Sequence, residues 1–243
     1  SEKIWEKGPV DLSILSDEPF QRTIWTILSI YLTVGRIFYI IKADKEIIRT
    51  ESGGENAMDR YLKETEMLDY SNKNIRQLIA KRKWDRLDAF RRVQAIYNFV
   101  RDEILFGYNT DDSIPASKVL ADGYGQCNTK GTLFMALLRA CRIPCRVHGF
   151  TIDKALQKGA MTGFVYKNAP QNVFHSWVEV YLDDRWYELE AYILDKAYLT
   201  RLQQQNSGCT GAFCGYGVAV QDLQHPVIDF DRNNTYIQSE GIN

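Results

Sequence analysis

Apolar residues Phe90, Val93, Tyr97, Val100 and Ile104 recur three and four positions apart. That spacing lines one face of a helix and predicts one from Arg86 to Ile104, ended by Phe106-Gly107-Tyr108-Asn109. Pro115 opens a short helix through Leu120. Ala121-Asp122-Gly123-Tyr124-Gly125-Gln126 then reads as a turn. After it, Leu133, Phe134, Leu137, Leu138 and Cys141 form the inward face of a helix over Cys127 to Ala140, closed by Pro144. Beyond Pro144 the period changes to two. Cys145 to Ile152 reads as a strand, and Val173 to Asp183 alternates strictly. In that strand Ser176, Val178, Val180 and Leu182 form the core face, and His175, Trp177, Glu179 and Tyr181 point the other way. Arg185 to Ala191 returns antiparallel after a turn at Asp183-Asp184. Helices precede strands, so the class is α+β, with one helix packed on an antiparallel sheet.

Three divisions follow. Residues 1–70 read as an N-terminal helical extension packing on the core, 71–200 as the catalytic core, and 201–243 as a loop-rich C-terminal segment. In the extension, Ile24 to Ile41 is apolar but interrupted by Thr26, Ser29, Thr33, Gly35 and Arg36. A membrane span needs about 20 largely apolar residues, and a central arginine is costly there. The segment is therefore read as a buried helix from about Glu18 followed by an extended stretch. Gly53-Gly54 is a loop, and Asn56 to Leu68 another short helix.

The 243 residues are 45% hydrophobic and 25% charged, the profile of a soluble globular protein. Thirty basic and 31 acidic residues leave a net charge of -1, which argues against a nucleic-acid partner. The basic run Lys81, Arg82, Lys83, Arg86, Arg91 and Arg92 is interleaved with Asp85 and Asp88 and reads as a solvated face. Five cysteines, an odd number, suit free thiols in a reducing compartment. The opening residues lack a signal-peptide pattern, so a cytoplasmic location is expected.

Cys127 carries the chemistry. It opens a helix, where partial positive charge favours thiolate over thiol, and the thiolate is the nucleophile. An ordinary buried cysteine at a helix start is the competing reading. His175 lies on the non-aliphatic face of its strand. A two-residue turn at Asp183-Asp184 sets Trp177 opposite Glu190, with His175 diagonal to Glu190 and within reach of it. Cysteine, histidine and an orienting carboxylate are the parts of acyl-transfer chemistry. Glu179 and Glu188 share the face and are alternative carboxylates. Gln126, Tyr108 and Asn109 are candidate oxyanion donors beside the Cys127 backbone N–H; Tyr124 and Trp177 are candidate pocket walls. No metal site is expected. Cys145 and His148 would point to opposite faces of one strand, and Cys209 and Cys214 fall in a glycine-rich loop, read as mobile near the site mouth. No phosphate loop or dinucleotide fingerprint is present, and no cofactor is expected.

Three blocks together resemble the transglutaminase-like core family of papain-like cysteine enzymes, over about Arg91 to Asp195. They are Asp122-Gly-Tyr-Gly-Gln-Cys127 continuing into Leu133 to Ala140; Arg142 to Phe150; and His175-Ser-Trp-Val-Glu-Val-Tyr181 with Arg185 to Glu190. The resemblance implies a papain/transglutaminase-like fold of the bacterial single-domain type, with Cys127 as nucleophile and His175 as base. The family's third member is usually Asp, fifteen residues after the histidine; here that position is Glu190. Animal transglutaminases commonly carry Trp after the nucleophile, where this chain has Asn128. Those calcium-dependent enzymes are also far longer, so protein crosslinking is not implied.

The first functional expectation is a cysteine hydrolase acting on an amide, peptide or small acyl substrate through an acyl-enzyme. The same residues suit C–C cleavage of a small, linear or cyclic, 1,3-dicarbonyl. They also suit acyl transfer to an amine. An inactive interaction module is the alternative of a different class. A small molecule or peptide is the expected partner, with neither nucleic acid nor membrane; oligomeric state is not legible. Thr151 to Pro170, between two site strands, is where carbonyl selection is expected.

Overall fold

The central helix of the molecule is buried on every side, which a one-faced apolar pattern does not foretell. The computed structural model describes residues 58–160 and 163–240. The predicted helix and extended stretch across 18–41, and the start of the helix predicted over 56–68, lie outside them. Within 58–68 the chain forms one 3-10 turn, Asp59–Leu62.

The helices are α1 (Lys73–Arg82), α2 (Ala89–Asp102), α3 (Ala116–Asp122), α4 (Cys127–Ala140), α5 (Gly163–Asn168) and α6 (Lys196–Gln205). The strands are β1 (Leu105–Phe106), β2 (Tyr124–Gly125), β3 (Cys145–Asp153), β4 (Asn172–Leu182), β5 (Arg185–Leu189), β6 (Phe213–Gly215) and β7 (Val218–Val220). Strands β3, β4 and β5 form an antiparallel sheet in that order. The fold is thus α+β, as the change of period predicts.

Helix α4 starts and stops where the sequence places it. At its start the Gln126 Oε1 accepts the Asn128 N–H at 3.0 Å, and Thr129 Oγ1 accepts the Gln126 N–H at 3.0 Å. This reciprocal cap satisfies donors that a helix end leaves free. At its end Arg142 is left-handed at φ 63°, and Ile143 N–H returns to Leu138 O before Pro144. Residues 128–139 are all buried. Even Lys130 is enclosed, with Nζ donating to the Ile193 carbonyl at 2.9 Å and the Arg101 carbonyl at 3.2 Å; burial lowers its pKa to about 7.

The β4–β5 hairpin turns on Asp183 and Asp184, both left-handed at φ 51° and 60°. These are the torsions that a two-residue hairpin loop demands. The predicted register follows, with Tyr181 opposite Trp186 and Val178 opposite Leu189. The ladder ends at Leu189, one residue short of the predicted Trp177–Glu190 pair. Glu190 turns to φ -117°, ψ -36° and leads into a 3-10 turn, Ala191–Ile193.

Two regions differ from the sequence reading. The turn at 121–126 contains β2, which pairs in parallel with β1. Each of these strands is two residues long, too short to show a period. The C-terminal segment is rich in loops among the described residues, but α6 crosses the boundary at 200 and β6 pairs with β7. Cys214, expected on a mobile loop, lies in β6 and packs against the buried cluster of Ile152, Leu156 and Ala219. Val218, Val220, Leu223, Phe230 and Ile237 join the main core cluster. Thr235 bridges in parallel to Leu189 at the edge of the sheet. These apolar residues are too widely spaced to betray an element by periodicity. No described helix is long and apolar enough to cross a membrane.

Candidate active site

Cys127 is the first residue of α4, a 14-residue helix. Its thiol donates to Gln126 Oε1 at 2.8 Å. His175 is buried on β4 and lies close enough to Cys127 for a side-chain hydrogen bond. The other edge of the ring is committed: His175 Nε2–H donates to Glu190 Oε1 at 2.5 Å. That leaves Nδ1 for Cys127. The Phe150 ring meets the imidazole edge-on, with centroids 5.1 Å apart, and fixes its plane. Burial alone would lower the pKa of His175. The thiol and the Glu190 carboxylate outweigh it and push the pKa up to about 10.

Glu190 is fully buried. Its Oε2 accepts three successive backbone N–H groups, from Ile237 at 2.7 Å, Gln238 at 2.8 Å and Ser239 at 3.2 Å. Consecutive amides of this kind form an anion nest. Burial tends to raise the Glu190 pKa; His175 and the backbone N–H groups of Gln238 and Ile237 outweigh it and hold the carboxyl below its usual range. The departure from sheet geometry at Glu190 is what swings this carboxylate to His175. The alternative carboxylates are occupied elsewhere. Glu179 pairs with Arg146 and with His148 Nδ1 at 2.9 Å, and Glu188 accepts the Tyr236 hydroxyl.

The remaining predicted site residues separate by what their polar atoms touch. Gln126 Nε2 donates to Asp112 Oδ1 at 2.6 Å, away from the sulfur. Asn109 is buried; its Nδ2 donates to Tyr124 O at 3.2 Å and its Oδ1 accepts from Thr129 Oγ1 at 2.6 Å. It pins the start of α4 to β2. The Tyr108 hydroxyl donates to Gln157 Oε1 at 2.9 Å. Burial raises the Tyr108 pKa, and Cys127 is near enough to add to the rise. Tyr124 is exposed and lies over Gly107, where a Cβ would approach its ring to 3.2 Å. Trp177 stacks on His148 at 4.9 Å and packs against Phe150 at 4.5 Å and Tyr236 at 5.8 Å. Cys145 is buried in the core, whereas His148 is half exposed on the other face with Glu179.

Sequence reasoning missed four contributors. Asp112 accepts from Gln126 and, through Oδ2, from Asn128 Nδ2 at 2.8 Å. The Tyr192 hydroxyl donates to the Cys127 carbonyl at 3.4 Å. Phe150 orients the imidazole, and 237–239 supply the nest. Backbone amides carry no residue signature, and Asp112 lies in an acidic loop, Asp111-Asp112-Ser113, that resembles any solvated turn.

Residues 73–191 match the model of the transglutaminase-like superfamily. A solved structure from Cytophaga hutchinsonii, described as a candidate cysteine protease, is 19% identical with a TM-score of 0.44. That match covers 59% of this chain and 45% of that one, so this chain spans less than half the length of the solved protein. No curated protein matches the chain. Over residues 73–191, just under half of the chain, the sequence is thus transglutaminase-like.

Proposed function

We propose that the transglutaminase-like core of residues 73–191 is a cysteine-nucleophile hydrolase of amide, peptide or small acyl substrates, with Cys127, His175 and Glu190 as its catalytic residues. The observation that carries this reading is the buried His175–Glu190 pair, 2.5 Å apart, beside a thiol at the N-terminus of a long helix. His175 Nδ1 takes the thiol proton or already holds it opposite a thiolate, and the sulfur attacks the substrate carbonyl. The tetrahedral intermediate expels its leaving group, which collects the proton from His175. Water, deprotonated by the same nitrogen, then cleaves the acyl-enzyme. Glu190 holds the tautomer and stabilises the imidazolium in both half-reactions.

The developing oxyanion is held by the Cys127 backbone N–H, one of the donors that a helix start leaves free. The amides of Gln126 and Asn109 are engaged by Asp112 and Tyr124. Tyr108, whose hydroxyl can rotate from Gln157, is the second donor we assign. Trp177 and Tyr124 flank the approach to the sulfur. The enzyme works in a reducing compartment, where its thiols stay free.

The test is mass spectrometry of the intact protein after exposure to peptide and metabolite pools. An acyl adduct on Cys127, accumulating in His175→Ala and absent from Cys127→Ala, is the expected result. The adduct mass identifies the acyl group, and product analysis separates hydrolysis from transfer to an amine or C–C cleavage. Turnover that persists in a folded Cys127→Ala protein would remove the nucleophile assignment.

A further inference from the structure

The Cys127 proton has three acceptors within reach, of which only one belongs to the triad and the most distant is Asn128 Oδ1, 3.8 Å from Sγ. His175 is the first; Gln126 Oε1, at 2.8 Å from Sγ, is the second. The orientation of the Gln126 amide is set by its other contacts. Its oxygen accepts the Asn128 N–H at 3.0 Å, and its Nε2 donates to Asp112 Oδ1 at 2.6 Å. A flipped amide would set donor against donor at Asn128 and acceptor against acceptor at Asp112.

Asp112 grips both neighbours of the nucleophile. Its second oxygen accepts from Asn128 Nδ2 at 2.8 Å, and Asn128 Oδ1 in turn accepts the Ser176 hydroxyl at 2.8 Å. Ser176 adjoins His175 on β4. One carboxylate therefore braces the helix start that bears the sulfur against the strand that bears the imidazole. This carboxylate is itself buried. Burial of a charge is costly; the amide N–H donors of Asn128 and Gln126 offset part of that cost, and burial still raises the Asp112 pKa above its usual range.

We propose that Asp112 is a positioning residue that, through Gln126, holds Cys127 as a thiol in the resting enzyme. The inference rests on the assignment of Cys127 as nucleophile. A thiol donates to a carbonyl oxygen, whereas a thiolate at the same distance is repelled by it. Ionisation breaks the S–H bond, leaves the electron pair on sulfur and passes the proton to His175 Nδ1, or to solvent where that ring is already charged; Gln126 Oε1 must then withdraw. The other ionisable groups around the sulfur are Tyr108 after β1, Tyr192 after β5 and, behind His175, Glu190. Gln126, which does not itself ionise, makes the shorter of the two amide contacts that are lost when the thiol ionises, the longer being Asn128 Oδ1 at 3.8 Å.

The test is the rate of iodoacetamide alkylation at Cys127, resolved from the other cysteines by peptide mass spectrometry, at pH 6 and pH 9. Gln126→Ala removes the acceptor and frees the Asn128 N–H to face the sulfur. Asp112→Asn leaves the bracket one acceptor short and lets the Gln126 Nε2 turn to the thiolate. Both variants are expected to alkylate about fivefold to tenfold faster than wild type at pH 6, the worth of one hydrogen bond. They converge with wild type at pH 9, where a thiol ionises unaided. Equal or slower alkylation of Gln126→Ala at pH 6 overturns the proposal. Faster alkylation of Gln126→Ala alone, with Asp112→Asn folded and unchanged, removes Asp112 from it. Should Asp112→Asn fail to melt cooperatively, Gln126→Ala alone decides. A wild-type Cys127 no faster than buried Cys141 would instead strike the underlying nucleophile assignment.

Discussion

Replacing Glu190 by Gln keeps the volume of the side chain and removes its charge, which isolates what the buried carboxylate does. In the native site Oε1 accepts from His175 Nε2–H, and Oε2 accepts three backbone N–H groups. A carboxamide offers one oxygen and one NH2. With the oxygen in the nest, the NH2 faces His175 Nε2, which must become an acceptor. The ring proton then moves to Nδ1, the edge facing Cys127, and the base is blocked. With the oxygen toward His175, the NH2 confronts three donors. The nest holds the first arrangement, because it satisfies more groups. Loss of a hydrogen bond to a charged group costs about 1.5–3 kcal/mol, so the thiolate–imidazolium pair is expected to fall about tenfold to a hundredfold. The assay is iodoacetamide alkylation of Cys127 at pH 6, with the gap closing as pH rises past the ordinary thiol range. The same change breaks a buried ion pair, which costs about 3–5 kcal/mol and lowers the melting temperature by roughly 6–20 °C in a domain of this size. Turnover, once a substrate is in hand, is expected to drop more steeply, since the wrong tautomer cannot accept the proton. Wild-type alkylation at pH 6 in a folded Glu190→Gln protein would refute the coupling of Glu190 to the thiol.

His175 also dictates a pH dependence of stability. Its pKa is raised from 6.5 to about 10, so its stabilising contribution is complete below about pH 6.5 and is lost as pH rises through about 10. The melting-temperature difference between wild type and His175→Gln is therefore expected to shrink over that interval; a constant difference would mean that His175 is not held charged. Gly131 tests the packing behind the site, because a Cβ there would lie 2.8 Å from the hydroxyl of fully buried Tyr192. Gly131→Ala is expected to lose about 1–3 kcal/mol by denaturant titration, the usual cost of overpacking, despite the better helix propensity of alanine. An unchanged midpoint would show that Tyr192 yields freely.

Periodicity located α2, α4 and the three long strands because each is long enough for its period to repeat. The β4–β5 register was legible for a second reason: two aspartates in a two-residue turn leave one pairing. From that pairing the neighbourhood of His175 and Glu190 followed. The reading failed where elements are short or where stability comes from scattered contacts. The two-residue strands β1 and β2 hold too few positions to alternate. Helix α6 hides in a polar sequence, Lys-Ala-Tyr-Leu-Thr-Arg-Leu-Gln-Gln-Gln, with only Leu199 and Leu202 buried.

The roles of the candidate oxyanion residues show the same limit. Gln126 adjoins Cys127 in the chain, whereas Tyr108 and Asn109 come before α3, and sequence position does not tell which of their polar atoms is free. What separates them is a carboxylate fourteen residues upstream of Gln126 and a carbonyl on Tyr124.

By itself the sequence determined the class of fold, the helix that begins at Cys127, the strand face that carries His175 and the hairpin that brings Glu190 close. These follow from local period and turn chemistry, which act between residues near in the chain. Only the tertiary structure decided which carboxylate reaches the imidazole, which ring nitrogen is left for the sulfur, and what holds each in place. Glu190 meets His175 because the chain leaves the ladder one residue early and because amides from 237–239, almost fifty residues downstream, neutralise its far oxygen. A buried charge needs donors from wherever the fold can bring them, and backbone donors have no letter in the sequence.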